Sequence, residues 1–580
     1  MDVLGVVMPG RFGQTSGRRA LAGTWWGGLL LVLICLAVYL PAMWNMPPVD
    51  RDESRFAQAS RQMAESGDWV IPKVGERPRL NKPPLIYWVQ ARTAQALSGG
   101  DVRRDAIWMY RVPSLVSAVL VVLLTWRLGC SMFAPNAAWA GAALVAICPL
   151  MAWEARQARA DMLMIAFTTA AVWLLWETLR RPSVARAAAL WIAVGFGVLA
   201  KGPAPPLIIG MTLLVWCVLR GSLAPLRATR PLLGVAIVGV TVMPWVLLVA
   251  QRVGFENYLG IIHTETLGRS VEGAEGHWGP PGYHLVLTVV MFFPGSLWLV
   301  GSIVRGVRVG LRWEPSAGGV VARVRGALRT LRVGRPAECF LLCVLVPSWI
   351  VFEAIGTKLP HYVMPLYPAL ALLAARAAMS RSAWLLRWRA RPTVVALVRA
   401  WCIAGVLVGA TGGLVGVLAA SAGAWWAWGV VGASVAGVLA FLIDAHGQIS
   451  RRDYSRVLTH AAGLGAASLV MIGVTLAHAP QLWVVDRLVK AAGRHGARDT
   501  RPLAFVELHE DSSRFLTRGR VVWLNEHDTR GFLRENPDAL IVMPAPMAAR
   551  WRGFRTLDEV SGFNYPKGAA GTWRLGEFPP

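Results

Sequence analysis

The sequence predicts an α-helical protein that crosses a membrane many times, and three observations predict it. Of 580 residues, 55% are hydrophobic and only 16% charged, whereas an ordinary soluble domain carries about a quarter charged residues. Apolar runs of roughly 18 to 24 residues recur along the chain, the length a helix needs to cross a hydrocarbon core about 30 Å thick. The arginines gather in the short links between alternate runs, where they orient a polytopic chain.

The runs lie near 24–44, 107–128, 137–153, 160–179, 187–201, 204–220, 231–250, 284–304, 338–355, 362–379, 394–420, 424–443 and 458–478, about thirteen in all. The first follows Arg18 and Arg19 and lacks a small-residue cleavage site, so it reads as a retained helix and not as a signal peptide. With the N-terminus cytoplasmic, alternation puts the arginine-rich links Arg180–Arg186, Arg220–Arg230, Arg305–Arg335, Arg376–Arg391 and Arg451–Arg456 inside. The net charge of +26 is then a topology signal. A phosphate-binding tract for nucleic acid, suggested by Arg323, Arg325, Arg329, Arg332 and Arg335, is the weaker reading.

The same count puts on the outside a first loop (45–106), a middle loop (251–283), the turns at Asp161, Lys201 and Thr357–His361, and the tail from 479. Two domains follow: a transmembrane domain, 1–478, and a soluble periplasmic one, 479–580. In the second, short apolar runs at Ala504–Leu508, Val521–Leu524 and Leu540–Met543 alternate with helix-like stretches such as Thr529–Asn536, which predicts a small α/β fold. The seven cysteines sit in or beside apolar runs and imply neither a disulfide framework nor a metal pair.

Inner loops carry little but arginine, whereas outer ones mix acids, bases, His, Trp and Tyr, and that mixture is what chemistry needs. The richest stretch begins Asp50-Arg51-Asp52-Glu53-Ser54-Arg55 and runs to Asn81-Lys82-Pro83-Pro84-Leu85-Ile86-Tyr87. Phe56, Ala59 and Met63 form a weak stripe, so the acids open a short amphipathic helix on the membrane surface. The plain alternative is capping, with Asp50 or Asp52 accepting from backbone N–H groups for about 0.5 to 2 kcal/mol. Asp161 could likewise be a simple salt-bridge partner of Arg156 or Arg159, Lys82 a snorkelling interfacial cation, and His277 and His361 interfacial hydrogen-bonders.

The stretch from Asp52 to Tyr87 resembles the first periplasmic loop of the bacterial aminoarabinose transferase and protein mannosyltransferase group, in the glycosyltransferase C superfamily. Five further motifs resemble the group in order: Ala158-Arg159-Ala160-Asp161, Ala200-Lys201-Gly202-Pro203, His277-Trp278-Gly279-Pro280-Pro281-Gly282-Tyr283, the stretch from Lys358 to Pro368, and Gly562-Phe563-Asn564-Tyr565. The resemblance implies a polyprenyl-phosphate-sugar donor and an active site on the periplasmic side of the inner membrane. It implies catalytic acids at Asp52, Glu53 and Asp161, with Asp52 orienting or deprotonating the acceptor hydroxyl. It also implies donor and phosphate binding by Arg55, Lys82, Lys201, Arg269, His277, His361 and Tyr362, since a departing phosphate gains charge and needs prepositioned cations.

Two positions depart from the aminoarabinose branch, which carries Glu before the lysine of Lys-Pro-Pro and His in the middle loop where this chain has Asn81 and Thr266. Both are metal-associated there, so no metal is expected, and lipid A is only one of several acceptors open. Glycan and protein acceptors remain, the last as protein O-glycosylation. A transporter or flippase of equal span count is disfavoured because the acids cluster at outer helix ends and not at mid-membrane.

Overall fold

The computed structural model describes residues 21–264, 279–313, 331–497 and 501–578. After α1 (Trp25–Tyr39) comes a segment holding α2 (Asp52–Ser66), the hairpin β1–β2 (Lys73–Val74, Arg77–Pro78) and α3 (Leu85–Leu97). The bundle continues with α4 (Ile107–Met132), α5 (Pro135–Ala146), α6 (Pro149–Ala155), α7 (Asp161–Arg180), α8 (Val184–Lys201), α9 (Ala204–Arg220), α10 (Pro231–Val253) and α11 (Phe255–His263). Beyond the middle loop lie α12 (Tyr283–Met291), α13 (Leu299–Gly310), the strand pair β3–β4 (Leu311–Trp313, Leu331–Val333), α14 (Pro336–Ala354), α15 (Tyr367–Ala378), α16 (Pro392–Ser421), α17 (Ala427–Ser450) and α18 (Tyr454–Leu476).

Among the described residues, eight helices are long and apolar enough to cross a membrane: α4, α7, α8, α10, α14, α16, α17 and α18. Two bent pairs bring the total to ten if each is one span. The first, α5 with α6, bends by 61° where Pro149 forces the preceding Cys148 out of helical geometry. The second, Pro360–Ala378 with Ala383–Arg389, bends by 96°. The expected run 284–304 is split into α12 and α13 around Pro294, which has no N–H to continue a helix. Length therefore separates what hydropathy pooled.

α10 and α17 bury little and leave Leu232, Val240, Trp428 and Ile443 exposed, as a lipid-facing helix does. The interior is closed by small residues: a Cβ on Gly129 would come within 2.7 Å of Leu372, so α4 approaches α15 only because that side chain is missing.

The C-terminal segment forms α19 (Val484–Arg494), β5 (Leu503–Val506), α20 (Asp511–Leu516), β6 (Val522–Leu524), β7 (Leu540–Pro544), β8 (Arg555–Asn564) and β9 (Ala569–Glu577). The sheet order is β6-β5-β7-β9-β8, with β5 parallel to both neighbours and β9 antiparallel to both of its own. Side chains alternate as strands require: Leu503 and Phe505 pack with α19 on one face, Ala504 and Val506 with Met547 on the other. The three expected strands are β5 to β7; the β8–β9 hairpin was not foreseen, because its edge strand is half exposed and shows little apolar alternation.

This segment lies along α2. Arg55 Nε donates to Asp511 at 2.7 Å, Arg61 Nη1 to the Phe515 carbonyl at 2.7 Å, and Arg51 Nη2 to the Pro566 carbonyl at 2.7 Å. The helix that opens with Asp52 is thus held between the bundle and the C-terminal segment.

Candidate functional site

α2 starts at Asp52 because Arg51 takes a φ of 65°, a left-handed conformation that ends the preceding chain direction, and it stops at Gly67, whose φ of 71° is the usual helix end. Two acids in the first turn face the positive end of the helix dipole. No side chain caps α2 from the N-cap position. Asp50 instead accepts from the Ser512 backbone N–H at 2.8 Å and lies beside the Tyr565 hydroxyl at 3.4 Å. Its place is the seam with the C-terminal segment.

Glu53 is enclosed. Arg111 of α4 donates Nε and Nη2 to its two oxygens at 2.8 and 2.9 Å, and the backbone N–H groups of Ala158 and Val49 donate at 2.8 and 2.7 Å. Arg111 further donates to the carbonyls of Met43, Met46 and Pro47 at 2.9, 2.8 and 3.0 Å. The pair stitches the start of the outer loop, α2, α4 and the turn before α7 together, and Glu53 keeps no oxygen for a substrate.

That turn delivers Arg159, whose guanidinium is shared by three carboxylates. Nη2 donates to Asp52 at 3.1 Å, Nη1 to Glu154 at 2.9 Å, and Nε lies 3.9 Å from Asp161. Asp161, the first residue of α7, also accepts from the Lys201 ammonium at the end of α8, and His361 Nε2 stands 3.6 Å from the same oxygen. Arg79, just after β2, reaches to 3.6 Å from Asp52 and lies over the Phe56 ring. Three acids thus meet three cations and an imidazole. Asp161 and Glu154 are 2% exposed, whereas the Asp52 side chain is 47% exposed. Only that acid of the three is open to a reactant.

Burial raises the Asp52 pKa, but Arg159, Arg79 and Lys201 outweigh it and hold the carboxyl below the usual range. Burial acts against the Arg159 charge, and Glu154, Asp161 and Asp52 together push its pKa up. Asp52 and Arg159 therefore both carry their charge near neutral pH.

The structure brings Asp52, Asp161, Lys201 and His361 together, and Tyr362 adjoins His361 with ring centroids 5.3 Å apart. Arg55 is turned to Asp511, and Lys82 Nζ donates to the Asn81 carbonyl at 3.0 Å. Arg269, His277 and Thr266 lie outside the described residues. Arg156 is not the partner of Asp161: it donates to the carbonyls of Val38 and Leu469. The sequence reading missed Arg79, Glu154 and Arg111. Glu154 had a signal, five residues before Arg159 at the end of an apolar run; Arg79 and Arg111 had none. Among the described residues, no three His, Cys, Asp or Glu side chains converge as a metal site would.

Residues 81–248 match the family model described as dolichyl-phosphate-mannose-protein mannosyltransferase. The undecaprenyl phosphate-alpha-4-amino-4-deoxy-L-arabinose arabinosyl transferase of Yersinia pestis (strain Pestoides F) is 26% identical over 355 residues, 60% of this chain and 58% of that protein. Its counterpart in Edwardsiella ictaluri (strain 93-146) is 27% identical over 364 residues, 62% of this chain and 59% of that one. The match spans less than two thirds of either relative. The crystal structure of ArnT from Cupriavidus metallidurans bound to undecaprenyl phosphate superposes with a TM-score of 0.69 at 19% identity, covering 96% of this chain and 98% of that one. The chain has the ArnT fold. It matches an Archaeoglobus fulgidus oligosaccharyltransferase, tethered with an acceptor peptide, with a TM-score of 0.50 at 12% identity, over 97% of this chain and 75% of that one. The resemblance to the aminoarabinose transferase and protein mannosyltransferase group holds in sequence and in fold, and the multi-pass character of the ArnT fold agrees with the apolar helices.

Two outcomes follow for the acids of this ArnT-fold site. Glu53→Gln breaks a fully buried pair and leaves Arg111 partly uncompensated, at a cost of about 3 to 5 kcal/mol. Thermal unfolding in detergent should show a large loss for Glu53→Gln and little change for Asp52→Asn; equal stability of the two would contradict the brace. Burial pushes the Asp50 carboxyl up to about 7, with Glu510 and Asp511 adding repulsion against the pull of Ser512. Because this pKa is higher folded than unfolded, the stability it gives is full below the unfolded value and is lost as pH rises through about 7. Asp50→Asn, which cannot ionise, should therefore gain thermal stability over wild type at pH 8, and that advantage should shrink as the pH falls through 7 towards 4; a constant difference would refute the assignment.

Proposed function

We propose that the chain is a glycosyltransferase that moves a sugar from a polyprenyl-phosphate donor to a hydroxyl of an envelope acceptor, lipid A or another surface glycan, at the periplasmic face of the inner membrane. The reading takes thirteen crossings with the N-terminus inside, so that α2, the Arg159 cluster and a C-terminal domain from residue 479 all lie outside. One observation carries it: a single open carboxylate, Asp52, sits beside buried acids and cations at the ends of apolar helices.

In this reaction the acceptor oxygen bonds to the anomeric carbon while the carbon–oxygen bond to phosphate breaks. The electron pair leaves on polyprenyl phosphate, and the hydroxyl proton passes towards Asp52. An ionised Asp52 suits that task, because a base must be unprotonated to accept. The growing phosphate charge is met by Lys82, Lys201, Arg55 and Arg269. Lys201 and Arg55 already face Asp161 and Asp511, so they are held in place before the donor arrives. Asp161 and Glu154 fix Arg159, and Glu53 fixes the turn that carries it. His277, His361 and Tyr362 border the donor.

Mass spectrometry of envelope lipids from cells with and without the gene tests the reading. Deletion should remove one sugar from one lipid or glycan class, and the wild-type gene should restore it. A charge-assisted contact to phosphate contributes about 1.5 to 3 kcal/mol, so Lys201→Ala or Lys82→Ala should restore roughly a tenth of it or less. An unchanged envelope on deletion overturns the proposal.

A further inference from the structure

Glu353, near the outer end of α14, lies in none of the motifs of the first loop or the Arg159 cluster, yet it joins three outer segments. Its two oxygens accept from the first backbone N–H groups of α12: Gly282 at 3.1 Å, His284 at 3.1 Å and Leu285 at 3.3 Å. These are the groups a helix leaves without internal partners, at the end of its dipole that favours an anion. His284 is buried and turns Nδ1 towards the same carboxylate at 3.6 Å, with Nε2 3.2 Å from the Leu359 carbonyl. A carbonyl only accepts, so Nε2 is the protonated nitrogen. Lys358, also buried, stands 3.9 Å from the carboxylate and donates to the carbonyls of Glu353 and Ile355 at 2.6 and 3.0 Å. A Cβ on Gly279 would meet the Lys358 stem at 2.9 Å, so the turn before α12 rests directly on that lysine.

What hangs from this node is the outer turn itself. Leu359, held by His284, immediately precedes the 3-10 segment Pro360–Leu366, which places His361 3.6 Å from Asp161 and Tyr362 beside it. On the other side the Gly279–Gly282 turn is the end of the middle loop. One carboxylate therefore holds the Gly279–Gly282 turn and, through His284, the turn that leads to His361, and it does so without touching Asp52, Arg159 or Asp161.

We propose that Glu353 is a positioning residue for the transfer reaction: an internal anion at the α12 N-terminus that locks the outer turn carrying His361 and Tyr362 in its working place. The proposal rests on the transferase reading for its kinetic effect and not for its structural one. Displacing a positioned group by about an ångström can cost on the order of a hundredfold in rate, so loss of the lock should be felt in turnover although Glu353 meets no reactant.

The test uses full-length Glu353→Ala in detergent, with formate as a replacement anion. The truncation empties the space occupied by the carboxylate, beside three N–H donors and Lys358, so formate should bind there saturably. Hydrogen exchange is measured over 279–290 and 355–366, and sugar transfer from polyprenyl-phosphate donor is measured in parallel. Expected in Glu353→Ala are faster exchange in both segments, exchange elsewhere as in wild type, a roughly tenfold or greater fall in kcat/KM, and recovery of protection and rate with formate but not with chloride at equal ionic strength. Glu353→Gln, which keeps one accepting oxygen, should fall between. Wild-type exchange in both segments, or loss of protection that formate leaves unchanged, overturns the lock. If wild type transfers no sugar while formate restores protection, the transferase reading fails and the lock stands. If protection follows the prediction but the rate of Glu353→Ala equals that of wild type, the lock exists and its role in transfer is refuted.

Discussion

The guanidinium of Arg159 is the contact on which the site depends. It faces Asp52, Glu154 and Asp161 at once, and those acids come from three different places: the first turn of the surface helix α2, the end of α6 and the start of α7. Without it, three carboxylates would be crowded at the edge of an apolar bundle, where an uncompensated charge costs several kcal/mol. With Lys201 and Arg79, three cations face the three acids. The acid left open is also the one at the helix N-terminus. Geometry and electrostatics select the same residue.

Holding such a cluster requires that its backbone does not move, and the fold meets that need with buried ion pairs outside the cluster. Glu53 and Arg111 lock α2 to α4 and to the turn of Arg159. Arg61 and Asp105, both almost wholly buried, lock the far end of α2 to the chain entering α4, and Arg518 ties that pair to the C-terminal segment. α5 and α6 meet at a bend of 61°, and the run around Pro294 is split into two short helices. Neighbouring acids in one sequence motif thus have opposite tasks: Asp52 faces outward into a partly open space, and Glu53 faces inward and is consumed by the scaffold.

Much of this was legible in the sequence. Mean composition and arginine placement gave the multi-pass class, the spacing of Phe56, Ala59 and Met63 gave α2, and the apolar runs in the tail gave β5 to β7. Asp52, Asp161, Lys201 and His361 were each recognisable from their own motif, and the structure places them within one cluster. What could not be read was pairing between distant elements. Arg79 follows the exposed Glu76, Arg77 and Pro78 after β2, Arg111 sits inside a span where it looks like a misplaced charge, and Glu353 ends a helix with no motif around it. Span number was also beyond hydropathy, because a run of apolar residues does not say whether it is one straight helix or two short ones. Glu53 was assigned with Asp52 because adjacent acids look alike until the helix direction is known.

The central claim is that the charge of Asp52 serves chemistry and the carboxyl at Asp50 serves the seam. It is tested most directly by single-turnover sugar transfer from a polyprenyl-phosphate donor, comparing purified Asp52→Asn and Asp50→Asn at matched thermal stability. Asparagine keeps the oxygen and nearly the volume but cannot take up a proton as a carboxylate does. The account expects a loss of about a hundredfold or more for Asp52→Asn and near wild-type transfer for Asp50→Asn. Wild-type transfer by a folded Asp52→Asn protein would contradict it.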